Sequence, residues 1–410
     1  MPAPALYTSA AVFLLGAIAL VVQSGYSVGA ALLLAGGLYS LCRPPRLALS
    51  RDDTLILGVL VAFGLVQIFD ILLHQGDSRY LDKPIRFILA TAAFALVRKY
   101  PPKLSWLWSG LALGGIMTAS WAGYQKLFLQ VERAVGHTHV IQFGNIAMLT
   151  GLFCLAGLGW ANAQKRRHLW VLLLLAGAVG GVLGSLFSGS RGGWVGLPLV
   201  FLVLYRAYSD FFSRRLKLLI PTLLVSSAVG VYHVPQLGVQ DRVHAAFNDI
   251  ELFHQGESNT SLGARFEMWR AASKLVIRKP LLGWGEVNYE PAMRKLVALD
   301  KANEIVMDFG HPHNEVLNAA AKRGLPGLLT LLALYLVPLR LFSRGLRSPD
   351  MAQRSLATAG TLLSVTYIDF GLTQAFFVHN SGVMIYAFWL VVLWGAYRNV
   401  CNRPTVSGLV

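Results

Sequence analysis

The run His311-Pro312-His313-Asn314-Glu315 puts two imidazoles, an amide and a carboxylate where a polar stretch gives way to an apolar helix, in a chain that is otherwise mostly apolar. Proline is tolerated at a first helical position, so the pattern predicts a helix that opens after His311 and holds His313 in its first turn. The positive end of a helix disfavours an imidazolium, and His313 is therefore predicted to be neutral near pH 7 and able to accept a proton. A lone histidine at such a place can also cap the helix or bond a carbonyl. The grouping of His313 with His311, Asn314 and Glu315 favours general-base chemistry.

Cations suited to an anionic partner recur elsewhere. In His74–Arg86, a helix running from Arg79 would set Arg79, Lys83 and Arg86 on one face, with Pro84 limiting how far it extends upstream. Arg86 would then lie just inside the membrane boundary, where an arginine either snorkels to the headgroups or faces a polar cavity. Ser188-Gly189-Ser190-Arg191-Gly192-Gly193-Trp194 combines flexible glycines, hydroxyl donors and the guanidinium of Arg191. That composition suits an anion nest or, more blandly, a hairpin with a snorkelling arginine. The loop 121–138, with Lys126, Glu132 and Arg133, is given no chemistry.

These groups must be positioned by membrane helices. Of 410 residues, 55% are hydrophobic and 14% charged, and the mean hydropathy is +0.54, which excludes an ordinary soluble domain. Twelve apolar segments are read, near 5–22, 27–42, 54–73, 84–97, 104–120, 139–160, 169–187, 193–209, 216–233, 324–339, 355–373 and 382–400. The expected fold is thus an all-α integral membrane protein: residues 1–233 as nine spans, 234–312 as one long loop, and 313–410 as the last three spans. Basic residues such as Arg43, Arg98, Lys165, Arg214, Arg340 and Arg398 fall in alternate connections, which predicts both termini in the cytoplasm. The first apolar segment lacks a basic leader and reads as a retained span.

The opposite side still carries many basic residues, eleven of them from Arg242 to Arg323, so an anion is expected to be handled there. The net charge of +16 does not by itself separate this from attraction to anionic lipid. Three cysteines, Cys42, Cys154 and Cys401, give no disulfide framework, and no spacing of Cys, His or acidic residues fits a structural metal or a Mg²⁺ site.

In the long loop, residues 262–279 read as an amphipathic helix with Leu262, Phe266, Trp269 and Val276 on its apolar side and Arg265 free to face a substrate. It would lie on the membrane or cap the bundle. Gly324-Leu325-Pro326-Gly327 predicts a kink at the start of the tenth span. The last outer loop, around Gln374, Phe377, His379 and Asn380, is a further candidate lining of the same cavity.

His313-Asn314, nine intervening residues, then Gly324-Leu325-Pro326-Gly327 resembles the signature of the ligase branch of the O-antigen ligase and polymerase superfamily of bacterial envelope glycosyltransferases. Arg265 with Trp269, Pro280-Leu281-Leu282-Gly283-Trp284-Gly285 and Ser190-Arg191-Gly192-Gly193 are similar to other family patterns. The resemblance implies a GT-C-like enzyme in the bacterial inner membrane, with its active site facing the periplasm. It would transfer O-antigen polysaccharide from undecaprenyl pyrophosphate to a hydroxyl of the lipid A-core, without cofactor, metal or nucleic acid, and with inversion. In that scheme His313 is the base, Arg191, Arg265 and Arg86 hold pyrophosphate, and Asn314, Glu315, His311, Lys83 and Arg79 support them. An O-antigen polymerase or a protein O-oligosaccharyltransferase would share the donor and the histidine. The short tail after the last span favours the ligase over protein-glycosylating relatives that carry a further soluble domain. A transporter of anionic lipid would place arginines in the membrane without needing His313.

Overall fold

The computed structural model describes residues 3–190, 192–211, 213–235 and 238–402. Regular structure among them is helical. The described residues open with α1 (Ala3–Ala17), α2 (Gly25–Leu41), α3 (Arg51–Leu73), α4 (Asp82–Lys99), α5 (Leu104–Leu127), α6 (Val140–Ala156) with its short continuation α7 (Leu158–Asn162), α8 (Arg167–Ser188) and α9 (Leu197–Tyr208). There follow α10 (Arg214–His233), α11 (Val239–His254), α12 (Ser261–Arg278), α13 (Tyr289–Ala298), α14 (Glu315–Ser343), α15 (Met351–Thr373) and α16 (Asn380–Cys401). A helix thus overlaps each of the twelve apolar segments, although α1 ends at Ala17 and α9 begins only at Leu197. Five stretches among the described residues are both long and apolar enough to cross a membrane: α3, α6 with α7, α8, α14 and α16. The protein is a polytopic membrane protein on that ground.

The last helices form the centre. From Ser381 to Tyr397 every residue of α16 is buried, which an apolar helix achieves only when neighbours surround it. The glycines of α5 show how small residues draw helices together. A Cβ on Gly114 or Gly115 would collide with the carbonyl oxygen of Gly16 in α1 or of Gly177 in α8.

The segment between α10 and α14 is more ordered than a loop. Its helix α12 has the expected bounds, but its buried face is Ala264, Met268, Ala271, Ala272 and Leu275. Leu262, Phe266, Trp269 and Val276 are only half-buried. Alanines let α12 lie close to α13 and α14, and these helices share a second core with Tyr289, Met293, Leu296 and Ala321. Burial of this small-residue face outweighs the bulkier stripe that the sequence displays.

Candidate functional site

The helix behind His313 begins later than predicted. Asn314, not His311, is the N-cap: its Oδ1 accepts the Leu317 N–H at 2.9 Å, while its Nδ2 donates to the Leu372 carbonyl at 3.2 Å. An asparagine cap satisfies an otherwise unpaired first-turn donor, which proline at position 312 cannot do. His313 therefore precedes α14 and sits in the left-handed region, at φ +48°. A non-glycine residue held there carries strain of order 1 kcal/mol that the surroundings must hold.

His313 is neutral, as expected, but burial is the main reason rather than a helix dipole. Burial, then the charge of Arg265, and then His139 and His379 push its pKa down to about 3. Burial and the neighbouring His313, Lys322 and His379 lower His311 to about 2, against the pull of Glu286. The two rings are 4.4 Å apart between centroids, and His311 Nδ1 accepts the His313 N–H at 3.3 Å. His313 Nδ1 is buried without a hydrogen-bond partner. Arg265, one turn into α12, is thus brought to the histidine that the sequence paired with it only by motif.

Glu315 opens α14 and is 3% exposed. Its Oε2 accepts the Phe377 N–H at 2.8 Å, which ties the loop before α16 to the start of α14. Beneath it a cavity of about 50 Å³ is lined by Lys83, Glu286, Glu315, Asn318, Arg323 and Phe377, among others. Lys83 reaches this cavity and Arg86 does not line it. Arg86 forms a two-pronged pair with Asp82, with contacts of 2.8 to 3.1 Å. Arg79 does not share a helix with them: it lies in a 3₁₀ turn, Ser78–Leu81, with its guanidinium 5.0 Å from the Tyr80 ring centroid. The common face expected for Arg79, Lys83 and Arg86 is absent because α4 starts at Asp82, which places Pro84 in its first turn.

Arg191 lies outside the described residues. Beside it the serines point inward: Ser188 Oγ accepts the Ser190 N–H at 3.1 Å, and Ser190 Oγ donates to Asn145 Oδ1 at 3.3 Å. Their hydroxyls hold the turn rather than offering an open anion nest.

At the end of the half of α14 that precedes the kink, sequence reading missed a paired knot. Glu286 accepts from Lys322 Nζ at 2.7 Å and from Arg323 Nη2 at 2.5 Å, and its own N–H donates to Asp70 Oδ2 at 3.0 Å. Arg323 Nε lies 3.5 Å from Asp70, an ion pair without hydrogen-bond geometry. The two cations hold the Glu286 carboxyl at about 2, against the raising effect of burial, which is the largest single influence. Immediately beyond, α14 breaks at Gly324, at φ +57° and ψ −145°, within the predicted kink. Pro280–Gly285 fills the break: Trp284 and Gly285 donate to the Ala321 and Lys322 carbonyls, and Leu325 donates to those of Pro280 and Leu281. Backbone groups freed by the kink are thereby paired inside protein, as lipid requires.

His379 and His139 were also undervalued. His379 sits 6.0 Å from His311 and 5.7 Å from His139 between ring centroids. No local spacing links position 139 with 379. Among the described residues no group of three or more His, Cys, Asp or Glu is arranged to hold a metal.

Comparison with known proteins bears on this geometry. A family profile described as O-Antigen ligase matches residues 176–332, the part that spans α12, the Pro280–Gly285 segment and His313. An uncharacterized protein of Haemophilus influenzae is 27% identical over 369 residues, 90% of this chain and 92% of the relative. A protein of Escherichia coli K12 named O-antigen ligase is 29% identical over 177 residues, 42% of this chain and 41% of that protein. The central segment, residues 176–332, is thus similar to O-antigen ligases by the family profile, and the chain by the Escherichia coli relative as well.

Proposed function

We propose that this protein is a glycosyltransferase of the inner membrane that moves O-antigen polysaccharide from undecaprenyl pyrophosphate to a sugar hydroxyl of the lipid A-core on the periplasmic face. The observation that carries the reading is His313 held neutral beside Arg265, ahead of a broken membrane helix. His313 takes the proton of the acceptor hydroxyl as the oxygen attacks the anomeric carbon. The bond from that carbon to the pyrophosphate oxygen breaks, and Arg265, with Arg191, receives the negative charge. Backside attack inverts the anomeric centre.

A base with a pKa near 3 is weak at neutral pH, and Arg265 is one cause of that weakness. Pyrophosphate bound to Arg265 cancels the repulsion, so donor binding raises the basicity of His313 where it is needed. Lys83, on the cavity, suits the anion-holding role better than Arg86, which Asp82 already engages. Asn314 and Glu315 fix the position of His313 through the cap and the tie to Phe377. The scheme gives no step to a metal, so EDTA leaves activity intact.

The test is His313→Ala, purified and supplied with undecaprenyl-pyrophosphate glycan and lipid A-core. Donor binding survives and capped product falls by about 10²- to 10⁴-fold. Near-normal product would remove His313 from the chemistry. A wild-type protein that lengthens the glycan and leaves the core bare would be a polymerase.

A further inference from the structure

Every residue from Ile277 to Leu282 is exposed, where α12 ends and the chain turns to fill the break in α14. The turn is markedly apolar for an exposed stretch: Ile277 is 78%, Leu281 70% and Leu282 57% exposed. Between these side chains stand two cations, Arg278 and Lys279, the latter with its ammonium 4.3 Å from the Trp284 ring centroid. Leu282 also lines a groove of about 250 Å³ together with Leu65, Phe69 and Leu73 of α3 and Pro326 of α14. The charged residues of that groove, Asp70 and Arg323, are paired with each other, so it offers a hydrocarbon surface without free charge. Because α3 is long and apolar enough to cross a membrane, with Phe69 and Leu73 exposed near its end, the groove opens toward lipid. Exposed apolar side chains beside cations at such a place suit an amphiphile with an anionic head.

Distance decides which amphiphile. Arg265 and Arg278 lie on the same helix, about 20 Å apart along its axis. The turn also meets α14 at Leu325, about 15 Å along that helix from its start beside His313. In a polyprenyl-linked donor the pyrophosphate is bonded directly to the reacting anomeric carbon, so a donor in place for attack cannot present its phosphates at Arg278. In a lipid A-core acceptor several sugars separate the reacting hydroxyl from the phosphorylated, acylated headgroup in the membrane.

We propose that the Ile277–Leu282 turn docks the membrane end of the acceptor. Arg278 and Lys279 hold a phosphate of the lipid A headgroup, and one of its acyl chains enters the groove between α3 and α14. The inference rests on the proposed transfer to lipid A-core. The carbonyls of Pro280 and Leu281 accept from Leu325, so the docked lipid sits on the segment that joins the two halves of α14, and the core sugars span the interval to the base.

The experiment measures the KM for lipid A-core, intact or with its lipid A phosphates removed, in phosphatidylcholine vesicles. For the wild-type protein, removing the phosphates raises the acceptor KM by about ten- to thirtyfold. Arg278→Gln combined with Lys279→Gln raises the KM for the intact acceptor to a similar extent, responds little to phosphate removal and leaves the donor KM unmoved. Arg278→Lys with Lys279→Arg keeps both charges and retains the wild-type acceptor KM, while Leu282→Trp, which fills the groove, raises it. An acceptor KM that ignores the phosphates in the wild-type protein, or that the paired Gln substitutions leave unchanged, overturns the site while transfer to lipid A-core stands. A defect in the Gln variant that follows the phosphatidylglycerol content of the vesicles, rather than the phosphates of the acceptor, assigns the turn to bulk lipid and overturns the site as well. A wild-type protein that leaves lipid A-core bare overturns the functional reading, and the site with it.

Discussion

Two clusters of charged and titratable groups bracket the half of α14 before the break, one just ahead of its start and one at its end, and are built in opposite ways. At Lys322 and Arg323 two buried cations meet Glu286 and Asp70, so charge is matched by charge at contacts of 2.5 to 3.5 Å. At His313, about three turns earlier along the chain, imidazoles are crowded by cations, and a buried nitrogen has no partner. Groups whose charges are matched hold a shape. Groups kept in an unfavourable electrostatic setting are available to react, which is why perturbed pKa values gather at functional sites.

The contrast can be broken most forcefully at the knot. Glu286→Ala leaves Lys322 and Arg323 facing a single carboxylate in a buried place, and losing one partner of a buried pair costs about 3–5 kcal/mol. Thermal unfolding in detergent should show a large fall in Tm, whereas His313→Ala should leave Tm nearly unchanged while abolishing transfer. If both variants unfold alike, the division between holding and reacting groups is wrong.

Gly324→Ala comes next. The new Cβ would meet the Leu281 carbonyl at a positive φ, and strain of about 1–3 kcal/mol is expected from the backbone conformation alone. Loss of both stability and transfer is anticipated, because the break and the Pro280–Gly285 segment that fills it would separate.

Acid sharpens the comparison further. A histidine whose folded-state pKa falls from 6.5 to about 3 binds fewer protons folded than unfolded in that interval. His313 therefore stabilises the fold above pH 6.5, and that contribution is lost as pH drops toward 3. For Glu286 the shift is from 4.5 to about 2, so its contribution is retained until pH falls below 4.5. Hydrogen exchange along a pH series should loosen the segment around His313 before the Glu286 knot; the reverse order would contradict this placement of charge. The smallest effects belong to the periphery. Asn314→Ala should cost about 1 kcal/mol through the lost cap, and Arg86→Ala about 0–1 kcal/mol, with transfer largely kept, because its pair with the half-exposed Asp82 is near the surface.

Much of the frame was legible because its signals are local. Apolar runs located the helices, five stretches of which are long and apolar enough to cross a membrane among the described residues, and Gly324-Leu325-Pro326-Gly327 announced the break through residues that cannot continue a helix smoothly. The start of α14 was misplaced because two capping signals competed within four residues, and the asparagine that satisfies a donor prevailed over the proline that merely lacks one. What local pattern could not reveal were the distant meetings. Glu286 and Asp70 are joined across 216 residues, and Glu315 reaches Phe377 across 62. His379 was read only as a possible lining of the cavity, and nothing in the spacing of His139 and His379 marked them as neighbours. The face of α12 was misjudged for a related reason: alanines have little hydrophobic prominence in sequence but permit the closest packing.

The break at Gly324 also divides the labour of α14 mechanically. Its N-terminal half is fastened to the Pro280–Gly285 segment and to Glu286, while the half beyond the break is a membrane rod with exposed leucines at 325, 329 and 336. The joint is therefore a pinned elbow: Leu325, the first residue of the rod, donates to the carbonyls of Pro280 and Leu281, so rod and platform are fastened to the same short segment.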